Sequence, residues 1–167
     1  RVMGMGKEES RGLLESDFRT LVDAGLEEGV LERPQRDLIH RIFELADTPV
    51  ADIMTPRVDM FRLPMSMPME QMKEEIIRYA YSRVPVYSGK PDNIIGVIYA
   101  KDLLAGLSQG KEFASVAPLL RKPYFVPLER TADSLLKDFQ RQKMHLAVVV
   151  DEYGGIAGLV TMEDILE

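Results

Sequence analysis

Apolar positions along the 167-residue chain recur in short blocks, each with its own period. Residues 1–32 are polar and charge-rich, with a weak helical stripe of Phe18, Leu21, Val22 and Leu26 interrupted by Gly25 and Gly29. This predicts a short helix and a turn leading out of a linker. Pro34 then sits where a first-turn proline belongs. Leu38, Ile39, Ile42, Phe43 and Leu45 follow on one helical face. The helix is expected to stop near Asp47-Thr48-Pro49, because proline biases the residue before it away from helical geometry.

Beyond residue 50 the pattern repeats, and the repeat outweighs any single residue. With Pro64 aligned on Pro127, an offset of 63, each proline precedes a polar turn and an amphipathic helix, over 69–79 and 132–141. At the same offset Val84-Pro85-Val86-Tyr87 matches Ala147-Val148-Val149-Val150, two short strand-like runs. A polar turn follows each run, over 88–93 and 151–155. The next strands, Ile94-Ile95-Gly96-Val97-Ile98 and Ile156-Ala157-Gly158-Leu159-Val160, are offset by 62, and each enters a helix carrying Asp102 or Asp164. With first strands at 60–63 and 124–126, each copy reads β-α-β-β-α. A copy of about 50 residues cannot cover both faces of its own sheet. The two should therefore pack together with approximate two-fold symmetry. The expected fold class is α+β: a helical lead-in over 1–33, a first motif with its leading helix over 34–111, and a second motif over 112–167.

Composition narrows the chemistry. Hydrophobic residues make up 46% and charged residues 29%, as in an ordinary globular chain. The absence of cysteine excludes a disulfide scaffold, a thiolate zinc site and a cysteine nucleophile. A formal net charge of −6 argues against a general nucleic-acid binder, which needs a basic face, but leaves room for a local basic pocket. No run approaches the roughly 20 apolar residues of a membrane-spanning helix. Because the chain does not start with Met and stops at Glu167 inside a helical pattern, it is expected to be a piece of a longer protein.

The run Gly158-Leu159-Val160-Thr161-Met162-Glu163-Asp164 resembles the closing signature of cystathionine-β-synthase (CBS) motifs, a glycine and hydrophobic residue followed by Thr/Ser-x-x-Asp. The pair of copies resembles a tandem CBS, or Bateman, module. More narrowly, Asp52-Ile53-Met54-Thr55-Pro56-Arg57, Ser82-Arg83-Val84-Pro85-Val86-Tyr87, Lys101-Asp102-Leu103-Leu104 and the run from His145 to Glu167 resemble the CBS pair of the CorB/CorC (hemolysin-C-like, CNNM) magnesium and cobalt efflux family. The resemblance covers roughly residues 34–167. It implies a regulatory module that binds an adenine nucleotide (ATP, AMP or ADP), dimerises with a second module, and is attached to a transporter membrane domain at the cytoplasmic face of the membrane. Residues 1–33 would be the linker from that domain.

Asp164 sits three residues after Thr161 at a strand-to-helix junction. A carboxylate there can accept hydrogen bonds from both ribose hydroxyls, strengthened by its charge. The same spacing is also a helix capping box, and the two roles are compatible. The resemblance places Thr55, Pro56, Arg57, Ser82, Arg83, Val84 and Pro85 opposite Thr161 and Asp164. Val84 and Pro85 would sandwich the adenine. Arg83, and secondarily Arg57, would pair with phosphate through the planar guanidinium; the competing reading of each is a solvated surface charge. The symmetry-related second site is expected to be weaker. Tyr99 replaces its threonine, leaving Tyr99 and Asp102 faced by Arg121, Lys122, Met144 and His145. Tyrosine is a poor N-cap and bulky enough to fill a cleft.

No protein-held metal site is expected, since His40 and His145 lack ligand-spaced partners, and magnesium would arrive with the nucleotide. Asp151 and Glu152 read as turn residues, and the ten methionines as core filling or a dimer face. No catalytic triad, phosphate-binding loop or dinucleotide fingerprint occurs, so an enzyme is not expected. Two other roles stay open: a structural dimerisation module with an empty cleft, and the regulatory module of a soluble CorC-like protein.

Overall fold

A computed structural model describes residues 2–167, with side-chain surroundings described from Leu14 onward. Helix α1 spans Val2–Glu27, far longer than the short helix expected, and runs through Gly25 without a break. A single helical glycine costs only about 1 kcal/mol relative to alanine, and here the space it leaves is taken by Leu31, folded back against it. Helix α2, Arg33–Asp47, carries Pro34 in its first turn and ends at Thr48, as the sequence predicts. The two form a hairpin held by an edge-on contact between Phe18 and Phe43, and by Asp23, which pairs with Arg36 at 2.8 Å and lies 3.1 Å from His40.

The repeat folds as two four-stranded mixed sheets. The first motif supplies β2 (Leu63–Pro64), α3 (Met69–Tyr79), β3 (Arg83–Tyr87), β4 (Ile94–Tyr99) and α4 (Ala100–Ser108). The second supplies β6 (Phe125–Pro127), α5 (Ala132–Gln142), β7 (Leu146–Val150), β8 (Ile156–Thr161) and α6 (Met162–Leu166). Two further strands, β1 (Thr55–Pro56) and β5 (Leu120–Arg121), change partners. The sheet orders are β1-β8-β7-β6 and β2-β3-β4-β5, so the segment before each motif adds an edge strand to the sheet of the other. Neither two-residue strand has a period that a sequence pattern could reveal.

Local details repeat with the pattern. Ala80 and Lys143, 63 residues apart, both cap their helices in the left-handed conformation, at φ 55° and 54°. The ladders of β3–β4 and β7–β8 slip at equivalent points, Val86/Tyr87 and Val149/Val150. Gly158 lies against β1, and Gly96 against β5. A Cβ on Gly158 would stand 2.3 Å from the Thr55 carbonyl oxygen, and one on Gly96 would stand 2.9 Å from Leu120 Cβ. Glycine is required at Gly158 by close backbone approach.

Each motif has its own core, with Met72, Ile76, Val86 and Ile98 buried in the first, and Leu135, Phe139, Val149 and Val160 in the second. A third cluster joins Ile94 and Val97 of β4 to Leu146 and Val148 of β7 and Ile156 of β8. This shared cluster is what lets two undersized copies bury both faces of their sheets. Met69 and Met72 fill the first core, while Met65 remains partly exposed. Beside α5, Asp138 is 4% exposed and receives Tyr124 Oη at 3.0 Å together with the guanidinium groups of Arg130 and Arg141. The end of α2 is tied to the same region by Ala132 N–H donating to Thr48 O and Val50 N–H donating to Arg130 O, both at 2.8 Å.

Candidate functional site

A cavity of about 390 Å³ opens between the motifs. The partner exchange of the edge strands builds it. Because β1 pairs antiparallel with β8, with Thr55 opposite Leu159, the first motif's leading segment lies along the strand that ends in Thr161. The turn after β1 contributes Asp59, Met60 and Phe61, the link between α3 and β3 contributes Ala80, Tyr81 and Ser82, and β3 begins with Arg83. From the second motif come Leu146, Leu159, Thr161, Glu163 and Asp164.

Thr161 is the N-cap of α6 and forms a reciprocal capping box. Its Oγ1 accepts from Asp164 N–H at 3.3 Å, and its own N–H donates to Asp164 Oδ2 at 2.8 Å. The Oδ1 atom of Asp164 is not committed to this box. The capping reading of the Thr-x-x-Asp spacing is therefore realised, and Asp164 lines the cavity at the same time.

Arg83 is the cation of the cavity wall, facing a set that includes the carboxylates of Asp59, Glu163 and Asp164. Its Nε is shielded from solvent and has no hydrogen-bond partner. Its guanidinium carbon lies 5.2 Å from the centre of the Tyr99 ring, its register partner across β3–β4. A shielded guanidinium N–H without an acceptor is costly.

Five predicted residues, Thr55, Ser82, Arg83, Thr161 and Asp164, thus meet around one cavity. Four lie elsewhere. Val84 is 1% exposed in the first core, and Pro85 is likewise buried, because β3 is a central strand covered on both faces. Pro56 is exposed on β1, and Arg57 sits in a neighbouring concavity, 2.9 Å from Asp92. The apolar wall comes instead from Met60, Phe61, Tyr81, Leu146 and Leu159. Phe61 stacks between Tyr79 and Tyr81, with centroids at 4.5 and 5.3 Å. The signal for these was modest: aromatic residues at the edges of a predicted strand and helix.

In the symmetry-related region the side chains pair with one another. Arg121 makes a two-pronged pair with Asp102 at 2.8 and 2.9 Å and lies 4.0 Å over the Tyr99 ring. Tyr99 caps α4 without a side-chain hydrogen bond. Lys122 is exposed, the His145 carbonyl accepts from Met162 N–H at 2.9 Å, and Met144 packs on the second core. Among the described residues no three His, Asp or Glu side chains are placed to hold a metal ion, and no helix is long and apolar enough to cross a membrane.

Paired motifs exchanging edge strands around a Thr-x-x-Asp cleft define a tandem CBS-domain protein, and the CBS domain family matches residues 50–109 and 116–167. Among solved structures, the CBS domain of a bacterial CNNM/CorC family Mg²⁺ transporter in complex with ATP is 46% identical. It aligns with a TM-score of 0.70 over 77% of this chain and 92% of that one. A CBS-domain pair with bound AMP from Klebsiella pneumoniae is 30% identical, with a TM-score of 0.63 over 71% of this chain and 95% of that one. The magnesium and cobalt efflux protein CorC of Salmonella typhimurium is 40% identical over 145 residues, 87% of this chain and 49% of that protein. The chain belongs to the CBS domain family and, within it, to the CBS modules of the CorC/CNNM family. It spans less than half the length of the curated relatives it matches.

Proposed function

We propose that this module is the adenine-nucleotide sensor of a divalent-cation transporter of the magnesium/cobalt efflux type, reading cytoplasmic ATP or AMP in the cleft between its motifs. One observation carries the reading: Thr161, Asp164 and Arg83, whose Nε has no hydrogen-bond partner, line a single cavity. Asp164 Oδ1 would accept from ribose hydroxyls, Arg83 would take phosphate, and Phe61, Tyr81 and Leu159 offer apolar surface to the base. Magnesium would travel with the nucleotide, since phosphates complete its coordination better than a lone carboxylate. Exposed Ile77 on α3 and Leu104 on α4 support pairing with a second module. A bound nucleotide would act on an attached membrane domain by favouring one arrangement of that pair, to the extent that it binds the two arrangements unequally.

Isothermal titration of the chain with ATP and AMP, with and without magnesium, tests this. One nucleotide per chain is expected. No binding at millimolar nucleotide would overturn the sensor and leave a structural dimerisation module.

A further inference from the structure

Beside the cleft lies a second concavity of about 460 Å³, lined by Arg57, Val58, Met60, Arg62, Tyr87 and Pro91. Met60 lines both spaces, and the short 3-10 turn Arg57–Asp59 contributes to both, Asp59 to the first and Arg57 to the second. Two cations therefore stand just past the shared wall. Arg62 is half-buried, has no ion-pair partner among the described residues, and holds Nη1 3.7 Å from Met60 Sδ, so its charged head lies at that wall. Arg57 is engaged, but poorly. Its Nη2 is 2.9 Å from Asp92 Oδ1, yet that oxygen is shielded from solvent and makes no hydrogen bond of acceptable geometry. A charge contact without directional hydrogen bonding is easily exchanged for a better acceptor.

We infer that this concavity is a polyphosphate-tail subsite continuous with the nucleotide cleft, in which Arg62 and Arg57 receive the outer phosphates and Asp92 is the internal competitor that they displace. The inference rests on the nucleotide reading of the cleft and deepens it by naming what distinguishes a triphosphate from a monophosphate. AMP has one phosphate, which Arg83 serves within the cleft. The tail of ATP extends past Met60 and gains guanidinium contacts that AMP cannot reach. Asp92 sets the threshold, because Arg57 turns to phosphate only when the incoming charge outweighs one misaligned carboxylate.

The test is titration of the 167-residue chain with AMP, ADP and ATP without divalent metal, for wild type, Arg62→Gln, Arg62→Lys and Asp92→Asn, with thermal unfolding to check folding. Arg62→Gln should lower the ATP:AMP affinity ratio about tenfold, the worth of one charge-assisted contact, and Arg62→Lys should restore part of it. Asp92→Asn should raise ATP affinity about threefold, the scale of an exposed ion pair, and leave AMP unchanged. An unchanged ratio in both Arg62→Gln and Asp92→Asn, or parallel losses of ATP and AMP, would overturn the tail subsite while the cleft reading stands. Failure of wild type to bind either nucleotide would overturn both.

Discussion

Asp164 binds the backbone N–H of Thr161 at 2.8 Å and lines the cleft with the same carboxyl group. One side chain thus closes a helix and faces a ligand space, and substitution can separate the two roles. Asp164→Asn retains an acceptor for the cap and loses the charge; Asp164→Ala loses both. Nucleotide binding should fall in both variants, to nothing measurable in Asp164→Ala, whereas only Asp164→Ala should lose about 1 kcal/mol of stability. Calorimetric titration and denaturant melts read the two effects. Asp102→Ala, which breaks only the pair with Arg121, should keep most of the binding; equal losses from Asp102→Ala and Asp164→Ala would contradict a single principal site.

Arg83 offers a charge test. Replacing it with Gln removes the cleft's cation while keeping a polar side chain of similar reach. AMP affinity should drop about tenfold, and affinity for adenosine, which carries no phosphate, should hardly change. Parallel titrations with the two ligands check this. An equal fall for both would show that Arg83 shapes the cleft and does not read phosphate.

Gly158 is a packing test of the exchanged strand. A methyl group there would stand 2.3 Å from the Thr55 carbonyl, so β1 must move or detach. Gly158→Ala should cost about 2–3 kcal/mol in denaturant unfolding and weaken nucleotide binding as well, because Thr55 lines the cleft. Gly96→Ala, where the nearest atom is 2.9 Å away, should cost less.

Tyr124 supplies a pH signature. Burial first, and then its hydrogen bond to Asp138, push its phenol above the ordinary value of 10.0. The neutral phenol is therefore favoured by folding. Its contribution is complete below pH 10.0 and fades as pH rises through the elevated folded value. Tyr124→Phe should cost about 1–2 kcal/mol at neutral pH, since buried Asp138 loses a donor. The difference from wild type should shrink on alkaline titration, followed by chemical denaturation from pH 8 to about pH 11.

Much of the fold was legible because it is written in local terms. Periods of two and 3.6, the prolines before each helix, and the paired glycines at 96 and 158 all recur at nearly constant offset, so the β-α-β-β-α units and their pairing follow from pattern alone. Thr161 and Asp164 were legible for the same reason: a capping spacing at a strand end is a local signature. Other features had no local sign. A glycine inside a helix reads as a break, but Leu31 packing on Gly25 lets α1 continue. Val84 and Pro85 lie next to site residues in sequence, but the alternation of a strand and the covering of both sheet faces turn them into the core.

What the sequence by itself determined is the existence of two equivalent units, their helices and central strands, and the residue types from which a nucleotide cleft could be built. Only tertiary structure decided which residues share that cleft. The exchange of β1 and β5 between sheets is a contact between segments far apart in the chain, made by two-residue strands too short to carry a period. That exchange brings Thr55 into one cavity with Thr161, leaves Arg57 in the neighbouring concavity with Asp92, and lays Arg121 over the Tyr99 ring. Side-chain direction at such positions depends on strand partners supplied from elsewhere in the molecule, and that information is absent from any single stretch of sequence.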